Sequence, residues 1–230
     1  LVTPCDHLFD TETFRKAVHT GMNLLTDSNI ITFGITPTHP ETGFGYIKPN
    51  PDNSIEYFVE KPEEKRAIEL IKDNCLWNSG IFIFKIDYVL ELYKTFKVEN
   101  LLLCEKVYNL STKNDNIVML DYDYSEIIPK SFDVSIMEKT TEGFVIPYSG
   151  LWSDIGNWKN LYEILIKTKF NIIGDDIKLI DSNDNLVYSD NGKIIVVGLS
   201  DHIIVKVKDN LLILSPNKIN EFKNIIKTII

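Results

Sequence analysis

Short apolar runs rich in β-branched residues alternate with amphipathic segments along most of this chain. The runs at 29–36, 55–62, 78–85 and 143–149 each have the length and composition of a buried strand. The segments between them carry apolar residues at helical spacing. Strands that alternate with helices in this way are typical of an α/β fold, and we expect a mainly parallel sheet.

The helical segments are marked by their caps and by their apolar faces. Asp10 or Thr11 can cap the first helix, and Pro62 is suited to be the first residue of the second. Further helices are expected at 87–97, at 99–110, from Val134 and from Trp158.

The sequence changes character at about Phe170. From there, short apolar strands are separated by polar turns such as DSNDN and SDNG at a spacing of roughly ten residues. This pattern predicts a small all-β unit whose strands form the coils of a β-helix. The predicted domains are therefore 1–169, the α/β domain, and 170–230, a β-helical tail that ends in a helix over 217–230.

The composition argues against several classes of function. The formal net charge of −9 disfavours nucleic acid or an anionic membrane as the main partner. No apolar run reaches the roughly 18 residues that a membrane-spanning helix needs. The three cysteines show no metal-ligand spacing and are typical of reduced thiols in a cytosolic protein. A cytoplasmic protein is therefore expected.

The chain opens on LVTPCDHLFD, which we interpret as a buried strand that ends at Asp6. Three other polar stretches are also expected at strand ends: FVEKP, WNSG and WSDIGNW. Ligands bind beyond the carboxyl ends of strands in open α/β sheets, so these stretches can form one site. Asp6 and Asp154 can hold Mg²⁺, which prefers oxygen ligands and leaves positions for phosphates. Each aspartate alone is more often a turn former or a helix cap, and Asp154 can cap the helix that follows it.

The same stretches carry groups suited to a phosphorylated sugar. Lys61 can neutralise phosphate oxygens, while Glu60 and Asn78 offer acceptors and a donor for sugar hydroxyl groups. The alternatives are a surface ion pair for Lys61 and a satisfied turn amide for Asn78. In the loop TGFGY, glycine allows the backbone to approach a ligand, although loop flexibility explains it equally well. Neither His7 nor His39 has a serine or cysteine nearby in the sequence that forms a recognisable nucleophile–base pair with it, which argues against a general-base role for either histidine.

Taken together, these stretches resemble the mannose-1-phosphate guanylyltransferases. The resemblance extends from Leu1 to about Ser215 and rests most specifically on PTHPETGFGYI, FVEKP and WNSG, while PETGFGYI and IMEKT point to the mannose branch. It implies a Rossmann-like nucleotidyltransferase domain of the GT-A-like class, followed by a short left-handed β-helix-like tail. In this family an oxygen of mannose 1-phosphate attacks the α-phosphorus of GTP, which gives GDP-mannose and pyrophosphate. Such a transfer depends on in-line placement and on charge neutralisation.

The resemblance also implies a role for each matching residue. Mg²⁺ is the implied cofactor, held by Asp6 and Asp154, and GTP and mannose 1-phosphate are the implied partners. The two aspartates and Lys61 are the implied catalytic residues. The implied substrate-binding residues are Gly45, Tyr46, Glu60, Lys61, Asn78, Gly80, Asp133 and Glu138.

One motif of the family has no counterpart in the chain. The glycine-rich loop GGxGxRLxPLS, which cradles the triphosphate, belongs well before PCDH, and nothing here resembles it. We therefore expect the chain to be N-terminally incomplete. Two alternatives remain open: a related transferase for another sugar or nucleotide, and a catalytically silent regulatory homologue. β-Helical tails in such enzymes often mediate subunit contacts, so a homodimer is the assembly to test.

Overall fold

The computed structural model describes residues 1–230 except 115–116, 121–126, 157, 169–170, 220, 223–224 and 226–230. The chain forms two compact units. The first unit comprises Leu1–Cys5 and Phe9–Trp152, and the second comprises Asp6–Leu8 and Ser153–Ile230. The boundary predicted at 169/170 separates sequence segments, whereas contacts in the structure group the helix before it with the tail.

The first unit is built around a five-stranded sheet with helices on both faces. The elements up to residue 153 are β1 (Leu8–Phe9), α1 (Thr11–Leu24), β2 (Ile30–Ile35), β3 (Tyr46–Pro49), β4 (Ile55–Val59), α2 (Glu64–Lys72), β5 (Leu76–Phe84), α3 (Ile86–Phe96), α4 (Val98–Asn109), β6 (Thr112–Asn114), β7 (Ile117–Met119), a π-helical turn (Asp133–Met137), β8 (Gly143–Tyr148) and β9 (Trp152–Ser153). The strand order in the main sheet is β4-β3-β5-β2-β8. The predicted α/β class is confirmed.

This sheet is mostly antiparallel, contrary to the expectation of a mainly parallel one. Strands β3 and β4 form a hairpin, and β5 runs antiparallel to both of its neighbours, β3 and β2. Among the described strands of the sheet, only β2 and β8 pair in parallel. The expectation was wrong because an alternation of strands and helices gives the order of the elements but not the direction in which each strand enters the sheet.

Apolar side chains cover both faces of the sheet. On one face, α3 and the π-helical turn pack over Ile30, Phe58 and Val145. On the other face, α1 packs over Ile31 and Phe33. Neighbouring residues of β2 therefore point to opposite faces, as the two-residue period of a strand requires.

Five of the predicted helices are found in the described residues, as α1 to α4 and as a helix over Trp158–Thr168, with one different start, and a sixth is not an α-helix. Asp10 accepts a hydrogen bond from the Thr13 N–H at 2.7 Å and caps α1, and this bond lowers the pKa of Asp10. Pro62 is not the first residue of α2, which begins at Glu64. The helix expected from Val134 is a π-helical turn of 5 residues.

The opening residues do not form the buried strand that the sequence predicted. Leu1 and Val2 are 58% and 50% exposed, and Val2 makes only an isolated antiparallel bridge with Phe82. Asp6 consequently lies in a bend and not at the end of a strand. The prediction failed because an apolar run becomes a buried strand only where neighbouring elements cover it.

The second unit consists of one helix and the stacked strands of the tail. Its elements are α5 (Trp158–Thr168), β10 (Ile172–Ile173), β11 (Ile177–Ile180), β12 (Leu186–Ser189), β13 (Ile194–Val197), β14 (Ile203–Val207), β15 (Asn210–Leu214) and a 3₁₀ turn (Pro216–Lys218). Strands β10, β12 and β14 stack in parallel, as do β11 and β13, which is the arrangement of successive β-helix coils. The predicted β-helix-like tail is confirmed. The apolar face of α5, including Leu161 and Leu165, packs against Leu186 and Ile203.

A buried asparagine links successive coils of the tail through hydrogen bonds. The Asn185 side chain donates to the Leu199 carbonyl at 2.6 Å and accepts from the His202 N–H at 3.0 Å. Asn171 in turn donates to the Asn185 carbonyl at 2.7 Å. Side-chain amides thereby satisfy backbone groups at the bends, where no strand ladder can do so. The terminal helix predicted over 217–230 lies largely outside the described residues.

No helix of the described part of the chain has the length and apolar character that crossing a membrane requires. The three cysteines are free thiols in this structure. Cys75 is buried, while Cys5 and Cys104 are exposed.

Candidate active site

Glu60 and Lys61 lie directly after β4, an edge strand of the main sheet. Lys61 adopts a left-handed backbone (φ 42°) immediately before Pro62, which turns the chain sharply away from the strand. Its Nζ is 3.3 Å from Glu60 Oε1, and the lysine side chain is 62% exposed whereas the glutamate side chain is 12% exposed. The ammonium is therefore accessible to a phosphate, while the carboxylate is almost enclosed.

Asn78 lies within β5 and not at the end of a strand, as the sequence suggested. The pairing of β2 with β5 shifts register between Thr32 and Gly34, and Gly80 beside this irregularity has a φ of +72°. Asn78 Oδ1 accepts hydrogen bonds from Thr32 Oγ1 at 3.1 Å and from the Gly80 N–H at 3.3 Å. Asn78 Nδ2 donates to Asp133 Oδ1 at 2.8 Å. The amide is thus a buried link between two strands and the π-helical turn.

The carboxylates of Glu60, Asp133 and Glu138 act on one another beside this amide. Asp133 begins the π-helical turn, and Glu138 directly after the turn accepts from the Glu60 N–H at 3.3 Å. Burial raises the pKa of Asp133, although the bond from Asn78 and the charge of Lys61 oppose the rise. Burial also raises the pKa of Glu60, and the negative charge of Asp133 adds to that rise. This part of the first unit therefore favours bound protons or hydrogen-bond donors.

Gly45 brings backbone against the same group of residues. Its carbonyl accepts a hydrogen bond from the Asn78 N–H at 2.8 Å. A Cβ at this position would stand 2.7 Å from Glu60 Oε2 and 2.7 Å from Phe58 Cζ. At Gly43, by contrast, a Cβ would meet only one flexible carboxylate, at 3.2 Å. Glycine is required at position 45 by a close approach, and not by a need for loop flexibility.

The Tyr46 side chain lies in the core, although the family resemblance predicted that it binds substrate. It is fully buried among residues that include Leu70 and Trp77. Its hydroxyl donates to the Glu41 carbonyl at 2.9 Å and so holds the preceding loop. Burial raises the pKa of Tyr46. Gly45 and Tyr46 are adjacent along an extended chain, so they face opposite ways and only one can face the cluster.

Asp6 and Asp154 belong together to the second unit, although they lie far apart in the sequence. Burial lowers the pKa of His7, and the negative charges of Asp6 and Asp154 both oppose that effect. The two carboxylates are therefore near enough to the same imidazole to act on it. Asp154 Oδ1 also accepts a hydrogen bond from Asn160 Nδ2, on α5, at 2.9 Å.

The turn that carries Asp154 has an uncommon backbone. Ile155 has a φ of 46°, which is rare for a β-branched residue, and its N–H donates to Ser153 Oγ at 3.1 Å. A Cβ at Gly156 would stand 2.6 Å from Asp154 Oδ2. The Asp154 carboxylate is thus held between α5 on one side and its own turn on the other.

The two aspartates carry the kind of oxygen ligand that a hard divalent cation prefers. Within the described residues there is no cluster of three or more His, Cys, Asp or Glu side chains that could hold a metal. A cation here would therefore rest on Asp6 and Asp154, with water and substrate oxygens at the remaining positions. Mg²⁺ is commonly bound in this way, through one or two carboxylates plus phosphate oxygens.

Thr32 is the residue at this site that the sequence interpretation missed. It lies in the middle of the buried apolar run 29–36, which was interpreted only as a strand. The available signal was its hydroxyl, because a polar group inside a fully buried strand needs a hydrogen-bond partner.

The sequence matches the nucleotidyl transferase family over residues 1–169 and the MannoseP isomerase/GMP-like beta-helix domain over residues 175–229. It is 32% identical to the alginate biosynthesis protein AlgA of Pseudomonas aeruginosa, over 99% of this chain and 50% of that protein. It is 31% identical to the mannose-1-phosphate guanylyltransferase of Escherichia coli K12, over 100% of this chain and 51% of that protein. The chain therefore spans about half the length of the curated relatives it matches.

Solved structures give a similar result. The crystal structure described as mannose-1-phosphate geranyltransferase from Thermus thermophilus superposes with a TM-score of 0.81 at 27% identity, over 99% of this chain and 68% of that one. The structure of mannose-6-phosphate isomerase from Helicobacter pylori superposes with a TM-score of 0.62 at 27% identity, over 66% of this chain and 62% of that one.

Proposed function

The chain belongs to the nucleotidyl transferase family, and on that premise we propose that it serves to transfer a guanylyl group from GTP to mannose 1-phosphate. The products are GDP-mannose and pyrophosphate. The proposal is supported by a relative over the whole chain that is itself called a mannose-1-phosphate guanylyltransferase. It concerns the whole protein, since the relatives are about twice as long as this chain.

One observation carries the proposal. Gly45, Glu60, Asn78 and Asp133 come from four separate stretches of sequence, and hydrogen bonds, charge and close approach bring them together in the first unit. Burial raises the pKa of both Glu60 and Asp133, so the fold encloses two carboxylates at a cost in free energy. Groups that are costly to bury in this way are typical of a functional site.

The residues of this group are suited to a neutral sugar ring with a phosphate attached. The Glu60 and Asp133 carboxylates accept hydrogen bonds from hydroxyl groups, and the Gly45 backbone allows a ring to approach closely. The exposed ammonium of Lys61 can leave Glu60 and contact a phosphate oxygen, because an ion pair made by so exposed an ammonium stabilises the fold only slightly.

The transfer needs no general base from the protein. The attacking group is a phosphate oxygen, which is already ionised at neutral pH, so placement and charge neutralisation carry the reaction. In agreement with this, His39 is engaged by its own loop. Its Nε2 is 3.3 Å from Glu41 Oε2, and its ring packs edge-on against Trp77 at 5.1 Å.

We propose Mg²⁺ as the cofactor, held by Asp6 and Asp154. When bound, the ion neutralises charge on the phosphate oxygens of the nucleotide. The contribution of the chain is to present two carboxylates in one unit and to orient the Asp154 carboxylate through Asn160. A cytoplasmic location and a homodimer remain proposals; free thiols support the first, and light scattering of the purified protein tests the second.

The deciding experiment is an assay of the natural protein with GTP, mannose 1-phosphate and Mg²⁺. We expect pyrophosphate release that depends on all three components. Glucose 1-phosphate and ATP should compete poorly with mannose 1-phosphate and GTP. If no pyrophosphate appears with any sugar phosphate, the proposed function is wrong.

A further inference from the structure

A buried threonine hydroxyl lies behind the polar residues of the first unit that we propose contact the sugar. Thr32 has no solvent exposure, and its Oγ1 lies 2.9 Å from the Ile81 carbonyl oxygen and 3.1 Å from Asn78 Oδ1. Both of these atoms are acceptors, so the single hydroxyl proton is shared between them. Thr32 cannot touch a ligand, and whatever it does at the site it does through Asn78.

The irregularity in β5 brings the Thr32 hydroxyl into contact with the Asn78 side chain. Residues 79–81 of β5 bulge opposite Phe33, so the side chains of Asn78 and Thr32 meet on one face of the sheet. The positive φ of Gly80 turns its N–H back onto Asn78 Oδ1 at 3.3 Å. A Cβ at Gly80 would meet no atom closer than 3.8 Å, so glycine is required there for its backbone conformation and not for space.

The Gly80 N–H and the Asp133 carboxylate decide which way the Asn78 amide faces, and the Thr32 hydroxyl can donate to Oδ1 in that orientation and so restrict its rotation. With Oδ1 directed at Thr32 and Gly80, Nδ2 must face Asp133, to which it donates at 2.8 Å. A reversed amide would place its oxygen against a carboxylate oxygen at that distance and its NH₂ against the Gly80 N–H. Both contacts are repulsive, and burial makes such mismatches costly.

We propose that Thr32 is a positioning residue for sugar binding, acting by fixing the Asn78 amide so that Asn78 and Asp133 present a donor and an acceptor side by side. The second N–H of Asn78 and an oxygen of Asp133 then match one sugar hydroxyl group, which accepts from the first and donates to the second. This role rests on the proposed function for its substrate, mannose 1-phosphate. It assigns to Thr32 a place in recognition of the sugar and none in recognition of the nucleotide.

The test compares three variants of the natural protein. Thr32→Val keeps the shape and removes the hydroxyl, Thr32→Ser keeps the hydroxyl, and Ser135→Ala is the matched control. Ser135 is also buried, 1% exposed and close in sequence to Asp133, but its hydroxyl has no hydrogen-bond partner among the described residues. Thr32→Cys replaces Thr32→Val if the latter does not fold, because a thiol of similar size donates only weakly.

Calorimetric titration with mannose 1-phosphate gives the first result. We expect Thr32→Val to weaken binding by about 3- to 10-fold, the value of one hydrogen bond. Thr32→Ser and Ser135→Ala should stay within about two-fold of the natural protein, a difference below the worth of one hydrogen bond. In the full reaction KM for mannose 1-phosphate should rise while KM for GTP stays unchanged.

Three results would overturn the proposal. The first is that folded Thr32→Val binds mannose 1-phosphate as tightly as the natural protein does. The second is that Thr32→Ser loses as much affinity as Thr32→Val, and the third is that KM for GTP rises as much as KM for mannose 1-phosphate. A panel of monodeoxy mannose 1-phosphates adds a sharper criterion. One member should bind the natural protein and Thr32→Val equally, because it lacks the hydroxyl group that the amide recognises.

A second measurement needs no substrate. The side-chain amide signals of Asn78, assigned by their loss in Asn78→Ala, should be well separated and slow to exchange in the natural protein and in Ser135→Ala. In Thr32→Val the separation should shrink and exchange should quicken. If the natural protein binds no mannose 1-phosphate, the proposed function fails, yet identical Asn78 signals in Thr32→Val would still independently reject the positioning role.

Discussion

The polar groups around Asn78 and the carboxylates of Asp6 and Asp154 are organised in opposite ways. The first set is enclosed, and its members are already bound to one another: Asn78 alone makes side-chain contacts with Thr32, Gly80 and Asp133. In the second set Asp6 is exposed on a bend, and Asp154 is half-buried with one oxygen on Asn160.

The difference is consistent with the ligand that we propose for each set. A sugar hydroxyl is neutral and gains little from each contact, so it needs donors and acceptors that are fixed beforehand. A divalent cation interacts strongly with carboxylates and supplies their missing partner itself, so the protein has to orient them without neutralising them. On this proposal, the protein fixes its polar side chains in advance at the site whose ligand interacts with them only weakly.

The largest loss of activity is expected from a substitution at the proposed cation site. Asp154→Ala should lower pyrophosphate release by on the order of 10³-fold or more, because a bound metal contributes several kcal/mol of charge stabilisation. Magnesium titration should show the loss of binding directly, and circular dichroism should be unchanged. Asp176→Ala is the matched control, since within the described part of the chain the Asp176 side chain makes an exposed ion pair with Lys193 at 3.7 Å and no other contact that the substitution would remove. Normal activity of Asp154→Ala would remove Asp154 from the cation site.

A substitution in the sugar-side loop should have the next largest effect. Gly45→Ala places a methyl group 2.7 Å from Glu60 Oε2, and we expect kcat/KM for mannose 1-phosphate to fall by about 10- to 100-fold, since overpacking of this kind costs roughly 1–3 kcal/mol. Gly43→Ala, in the same loop, meets no such obstruction and should be nearly neutral. Equal losses in the two variants would show that the loop needs flexibility and not a close approach at position 45.

The orientation of Asp154 can be tested separately from its charge. Asn160→Ala removes the donor to Asp154 Oδ1 and should weaken magnesium binding by about 10-fold, as is usual for residues that hold a metal ligand. Asn171→Ala in the same unit is the control; it removes a bond to the Asn185 carbonyl and should lower thermal stability without changing magnesium affinity. If Asn160→Ala binds magnesium normally, α5 has no part in orienting the carboxylate.

The smallest effect is a pH dependence that distinguishes enclosed from exposed carboxylates. Because burial raises the pKa of Asp133, the folded protein holds this proton more tightly than the unfolded chain does. Its contribution to stability is therefore present below about pH 4, the ordinary value for aspartate, and is lost as the pH rises through the raised folded pKa. Chemical denaturation should therefore show that, as the pH rises from about 4 through the raised pKa, the free energy of unfolding of the natural protein falls relative to that of Asp133→Asn.

Asp52 provides a control of opposite sign. Hydrogen bonds from the Ser54 hydroxyl and N–H lower the pKa of Asp52. Its contribution is therefore present above the ordinary aspartate value and is lost as the pH falls through the lowered one. The stability difference between the natural protein and Asp52→Asn should grow with rising pH. The same slope in both comparisons would mean that Asp133 is not enclosed.

Local patterns in the sequence predicted the elements well and the positions of polar residues less well. The cap at Asp10, the strand that carries Thr32 and the apolar face of α5 with Leu161 and Leu165 each depend on neighbours in the chain, and each is found. The opening strand before Asp6 failed, because burial depends on what lies over a segment and not on its composition alone.

By itself, the sequence determined the alternation of strands and helices, the change to a β-helix-like tail and the motifs that mark the family. These features are local, since periodicity and short motifs act within a few residues of the chain. Only the tertiary structure decided that the main sheet is mostly antiparallel, that Tyr46 is buried while Gly45 touches Glu60, and that Thr32 lies behind Asn78. Each of these depends on one bulge or one packing contact between distant segments, and such contacts leave no periodic trace in the sequence.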